Sequence, residues 1–136
     1  MLFRSGNGVA QSGNACVARG RALTRRGIGR VRLGLTLAQL TRRAGTPSSR
    51  KARSVSWCVR GGGTVSAVIV RRRAVLVAST VRGARVGRLR VGARAPRRGG
   101  ALRRRGHVVY RVRRGRIVMV AVTRSARRWR TYARSL

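Results

Sequence analysis

The side chains that could do chemistry are few and nearly all of one kind. The chain of 136 residues has one histidine, two cysteines and no aspartate or glutamate, against 35 lysines and arginines. The missing carboxylates exclude whole reaction classes. Glycoside hydrolysis by paired carboxylates needs two acids. A Ser-His-Asp triad lacks the member that orients its histidine. Magnesium and calcium sites lack their oxygen ligands. Cys58 and His107 remain as a nucleophile and a base, but nothing in the sequence orients the imidazole of His107. Cys16, Cys58 and His107 do not fall at the spacing of a zinc site. The chain is therefore read as a non-enzyme without cofactor or metal. Two thiols allow one disulfide. Nothing in their spacing argues for it, so a small buried Cys58 and a mobile Cys16 are expected.

What remains is arginine. Of the lysines and arginines, only Lys51 is a lysine. A guanidinium stays charged at any working pH, and its planar fork matches a phosphate. GC-rich coding favours the same residue. Runs stand at Arg71-Arg72-Arg73, Arg97-Arg98, Arg103-Arg104-Arg105, Arg113-Arg114 and Arg127-Arg128, the last followed by Arg130. These positions read as turns and ends, where side chains reach solvent. With a formal net charge of +35, association with a polyanion follows from counterion release whatever the sequence. DNA, RNA or an anionic surface is the expected partner. Sequence-specific readout is not expected, because no zinc finger, RNP-type aromatic motif or recognition-helix pair is present. Gly61-Gly62-Gly63 opens no helix and precedes no Gly-Lys-Ser/Thr, so it reads as a hairpin turn rather than a phosphate cradle. Trp129 and Tyr132 flank Arg130 and could stack on single-stranded bases. The simpler reading puts them on the apolar side of a terminal helix.

A small number of elements must position these residues. Residues 1–26 show no periodicity and are expected to be disordered or artefactual, since Met1-Leu2-Phe3-Arg4-Ser5 resembles a translated sequencing adapter. Order is expected from near Gly29, where Val31 and Leu33 alternate with Arg30 and Arg32. A helix follows, with Thr36 as N-cap and Gln39 three residues on as its capping-box partner. Leu37, Leu40 and Ala44 share one face, and Gly45 and Pro47 end the helix. Val55, Trp57 and Val59 alternate in a strand. Residues 64–70 and 74–80 make two more, which together predict an antiparallel meander. Residues 123–136 predict a short basic helix with Ala126, Trp129, Tyr132 and Leu136 on one side. No uncharged run approaches the roughly 18 apolar residues of a membrane span. The apolar share of 43% is mostly valine and alanine, so a tight core depends on sheet pairing.

The second half echoes the first. Gly29-Arg30-Val31-Arg32-Leu33-Gly34 recurs as Gly87-Arg88-Leu89-Arg90-Val91-Gly92. Trp57-Cys58-Val59-Arg60 recurs as Tyr110-Arg111-Val112-Arg113, and residues 63–70 recur in pattern as 115–122. The shared order predicts a tandem duplication, with copies at 27–82 and 83–136. Pro96, Gly99 and Gly100 break the helix in the second copy. The expected fold class is α+β, as two degenerate helix-plus-antiparallel-meander repeats behind a disordered N-terminus.

Gly34-Leu35-Thr36 at the helix start, Gly45-Thr46-Pro47 at its end and the Trp57-Cys58-Val59-Arg60-Gly61 turn resemble the small tandem α/β repeats of the beta-lactamase-inhibitor-protein-like (BLIP-like) superfamily. The nearest likeness is to arginine-rich members from high-GC bacteria. The resemblance implies a fold and an exported or cell-envelope setting, and carries over no binding site. Three functional readings follow. The first is a highly basic binding module for polyanions, cytoplasmic if no export signal precedes it. The second is a protein-interaction or envelope module whose charge is incidental, with an acidic protein partner on a sheet face that includes Trp57 and Tyr110. The third is a shifted frame of GC-rich DNA, for which no stable fold is expected.

Overall fold

The computed structural model of the chain describes residues 16–17, 21–97 and 99–136. Most of the segment expected to be disordered lies outside them, but Leu23 already pairs with Ile28, so order begins before Gly29. Three short strands come first: β1 (Leu23–Thr24), β2 (Gly27–Ile28) and β3 (Val31–Arg32). Helix α1 (Leu37–Ala44) follows. Strands β4 (Ser49–Arg50), β5 (Ser54–Cys58), β6 (Thr64–Val70) and β7 (Arg73–Ser79) then run as a meander. A hairpin of β8 (Arg85–Val86) and β9 (Leu89–Arg90) precedes β10 (Leu102–Arg105), β11 (Val108–Arg113) and β12 (Arg116–Thr123). Helix α2 (Trp129–Arg134) comes last. One seven-stranded sheet runs in the order β10-β11-β12-β7-β6-β5-β4, and every ladder in it is antiparallel. The fold is mixed α+β.

Local chemistry explains α1. The Gln39 amide donates to Thr36 Oγ1 (3.2 Å), and the Thr36 amide donates to Gln39 Oε1 (2.9 Å). Two amides that a helix start leaves orphaned are thereby satisfied. Gly45 then takes φ 92° and its amide closes onto the Thr41 carbonyl, in a region where a Cβ is strained. Leu40 is fully buried, while Leu37 and Ala44 pack at the margin of the core.

The sheet is packed on both faces because its strands alternate. Val55, Trp57, Val65, Ala67, Val77, Tyr110, Val120 and Val122 belong to one core, shared with Ile28, Val31, Leu40, Val86 and Leu89. The short hairpins and α1 cover that face. Val68, Leu76, Ala78, Val109, Met119 and Ala121 form the second core with Tyr132 and Ala133 of α2. Bulges in β7 and β12, where register shifts after Val68 and after Arg111, keep Ala74 and Ile117 in the first core despite the extra residue.

Two corrections concern the ends of the chain. Cys16 and Cys58 are joined in a disulfide, not left as separate thiols, and Cys58 is half-buried. Docking brings the sulfurs together: the Val17 amide donates to the Cys58 carbonyl and the Arg60 amide to the Val17 carbonyl, each at 2.9 Å. The C-terminal helix is shorter than expected. Thr123 must extend β12 to pair with Leu76, so the helix starts only at Trp129.

Two parts of the chain make the same bonds. At the Gly29-Arg30 turn the Leu33 amide donates to the Arg26 carbonyl (2.7 Å) and the Gly34 amide to the Ala74 carbonyl (2.8 Å). At the Gly87-Arg88 turn the Val91 amide donates to the Ala84 carbonyl and the Gly92 amide to the Ile117 carbonyl, both at 2.8 Å. Arg73 Nη1 donates to the Gly34 carbonyl (2.8 Å), as Arg116 Nη1 does to that of Gly92 (3.4 Å). The β6–β7 and β11–β12 hairpins share loop length, register and bulge position. In this register β6 stands with β11 and β7 with β12, and the counterpart of Tyr110 is Ala67 rather than Trp57.

Candidate functional site

The arginine runs do not form one patch. Arg71 and Arg72 make the two-residue loop of β6–β7, and Arg114 with Gly115 makes that of β11–β12, next to Arg113. Because β7 and β12 pair antiparallel, these loops sit at opposite ends of the sheet. Arg103, Arg104 and Arg105 lie on β10 at one edge, where charge protects the open strand. Arg127, Arg128 and Arg130 surround the start of α2. Arg97 is exposed, and Arg98 lies outside the described residues.

Several of these guanidiniums are spent on the fold itself. With no carboxylate side chain available, they donate to backbone carbonyls. Arg103 alone holds the Pro96 (2.7 Å), Gly99 (3.1 Å) and Gly100 (2.8 Å) carbonyls and so organises the loop before β10. Arg104 Nη1 donates to the Gly106 carbonyl (2.9 Å). The sheet face expected to meet a partner is covered. Trp57 is 1% exposed and Tyr110 5%. Trp57 Nε1 donates to the Gly45 carbonyl (2.8 Å), tying the end of α1 to β5. Both rings are core, because the face they share is covered by the hairpins and α1. Tyr132 is buried too, and the Arg130 guanidinium lies 4.9 Å over the Trp129 ring.

A different group of cations converges. A cavity of about 520 Å³ opens between the first hairpin, α1 and the β12 end, with Arg25, Arg26, Arg32, Arg43, Arg124 and His107 on its walls. Leu33, Gly34 and Leu35 supply the apolar and backbone part of the lining. The five arginines are exposed. Arg124 Nη1 lies 3.8 Å from where a Cβ on Gly34 would stand. Among the described residues, the guanidiniums of Arg25, Arg26, Arg43 and Arg124 have no hydrogen-bond partner, and Arg32 commits only Nε, to the Gly29 carbonyl. His107 Nδ1 lies 3.0 Å from the Thr123 carbonyl oxygen. That oxygen can only accept, so Nδ1 carries the proton and Nε2 is left for other contacts. Of the arginines singled out by sequence, Arg73 alone among the described residues is tied to this wall, through the Gly34 carbonyl. The lining residues come from separate segments and form no run, so no sequence pattern marks them. The doublets Arg25-Arg26 and Arg42-Arg43 were the only local signal.

Among the described residues, no cluster of three or more histidine, cysteine or acidic side chains could hold a metal, and no helix is long and apolar enough to cross a membrane. No family model, no curated protein and no solved structure matches the chain.

Proposed function

We propose that the chain is a non-enzymatic binding module for polyanions, either nucleic acid or an anionic surface. One observation carries the reading: a net charge of +35 without a single side-chain carboxylate to neutralise any arginine internally. The guanidiniums that no carbonyl engages are held at loops, a sheet edge and a cavity, all facing solvent. A polyanion that replaces their counterions gains the release entropy, regardless of its sequence. The test is a salt titration of duplex binding. Affinity should fall about a thousandfold or more between about 0.05 and 0.2 M salt, with little difference between sequences. An affinity that does not change with salt rejects the proposal.

We further propose that the two halves are copies of one unit, as the BLIP-like resemblance implies. The matched hydrogen bonds around Gly34 and Gly92, and the matched bulges, support this. A frame-shifted sequence would have no reason to repeat them. The Cys16–Cys58 disulfide favours an oxidising compartment, and with it the exported or envelope setting. Acid-quenched alkylation of the protein in its native host tests that setting. Free thiols on both cysteines would reject it.

A further inference from the structure

We infer that the cavity between the first hairpin and the β12 end is a discrete site for a compact polyphosphate: the phosphates of a nucleoside triphosphate or an inorganic chain of the same length. The inference rests on the polyanion reading and narrows it to one place. Five arginines and His107, all exposed, line one open depression of about 520 Å³. Four of the five guanidiniums make no other hydrogen bond among the described residues. Like charges around one depression repel one another, and no side-chain carboxylate on the chain relieves them. A short anion carrying several charges does. Duplex DNA does not fit this role, because it presents its phosphates along a convex cylinder.

The matching place in the other half carries fewer cations, so the gathering does not follow from composition alone. In the shared register Arg26, Arg124 and His107 correspond to Ala84, Val81 and Thr64. Arg25 corresponds to Gly83, and no helix supplies a counterpart to Arg43. Val81 and Ala84 are buried there, and Gly63 backs onto Val81 so closely that a Cβ would stand 2.8 Å from its Cα. The matching place keeps Arg90 as the counterpart of Arg32, and the Arg82 side chain lies against Gly92, but Val81 and Ala84 are buried where the other half has Arg124 and Arg26 exposed. Leu33 and Leu35 add an apolar wall on which the base or sugar of a nucleotide can rest.

The experiment is calorimetric titration of the full chain, at about 0.3 M salt to suppress diffuse binding. The probes are tripolyphosphate and adenosine triphosphate. Each is titrated against the wild type, Arg43→Gln/Arg124→Gln in the cavity, and Arg71→Gln/Arg113→Gln at the two hairpin ends. Both double variants lose the same charge, and among the described residues none of the four side chains makes a hydrogen bond. Circular dichroism confirms that each variant folds. The expected result is 1:1 binding, weakened at least tenfold by the cavity pair and less than about twofold by the hairpin pair. Adenosine triphosphate binding tighter than tripolyphosphate assigns the site to nucleotides; equal affinity assigns it to the phosphate chain alone. Equal weakening by both pairs, or a stoichiometry well above one, overturns the cavity site while leaving diffuse polyanion binding intact. Salt-independent duplex affinity would instead reject the broader reading.

Discussion

Arg71 and Arg72 hold φ values of 50° and 70°, and Arg114 holds 52°. Two-residue hairpin loops favour turns with positive φ at the first or at both central residues, and where both are positive Asn-Gly is the preferred pair. An L-residue with a Cβ gives up about 1–2 kcal/mol in that region. Arginine at both positions of the β6–β7 loop therefore makes it the least comfortable turn in the sheet, whereas the β11–β12 loop already has Gly115 at its second position. Replacing Arg71→Asn and Arg72→Gly should stabilise the fold by about 1–2 kcal/mol, seen as a higher urea midpoint. The double change also removes two charges, so Arg71→Gln/Arg72→Gln is the control: it matches the charge and keeps the strain. If the two variants melt alike, backbone strain at this loop is not a factor. Trp57 is the opposite case. Its burial and its bond to Gly45 mark it as an anchor of the core rather than a contact for a partner.

At the scale of elements, α1 is eight residues long and its start depends on one reciprocal pair of bonds. Thr36→Ala should cost about 1 kcal/mol, and Thr36→Ser should restore most of it. Faster hydrogen exchange at the Gln39 amide would locate the loss; unchanged exchange there would show that packing of Leu40 alone defines the helix start. The N-terminal segment depends on Cys16–Cys58, which spans 42 residues of chain. Breaking it with Cys58→Ser should lower stability by about 4 kcal/mol through the freed unfolded state. A loss below about 1 kcal/mol would mean the segment holds its place without the bond. The difference between these two elements explains what the sequence disclosed. The α1 cap, the alternation of β5 and the β-branched β6 and β7 arise from neighbours three or four positions apart, and each was legible. The disulfide, the pairing of Leu23 with Ile28 and the convergence of Arg26, Arg43 and Arg124 depend on how distant segments dock, and periodicity holds no record of that. The likeness between halves was visible around Gly29 and Gly87, where identical turns impose identical residues. In the strands, sequence likeness sets Trp57 beside Tyr110, whereas the matching hairpin registers put Tyr110 level with Ala67.

At the scale of the whole molecule, the absence of Asp and Glu gives the fold an unusual relation to acid. Stability depends on pH only where the folded and unfolded states bind different numbers of protons. In most proteins the difference comes from carboxylates whose pKa is depressed in the folded state. Their contribution is present above the unfolded pKa and lost as pH falls through the folded one. A single such aspartate is worth about 2.6 kcal/mol. Here no side-chain carboxylate exists to be depressed. Arginine, which carries nearly all of the charge, stays protonated at neutral pH and in acid alike. The self-repulsion of +35 charges is therefore as strong at neutral pH as in acid, and is relieved only by salt, whose screening length shrinks from about 30 Å at 0.01 M to about 3 Å at 1 M. Two outcomes follow for urea melts followed by circular dichroism. At constant pH the midpoint should climb steeply with sodium chloride. At a fixed salt of about 0.5 M, where the screening length is only a few ångströms, it should stay flat between about pH 5 and pH 2, across the range where carboxylate-dependent domains unfold. A midpoint that drops with acid at constant salt would mean that a titrating group holds this fold together. The inventory of side chains contains none that can do so.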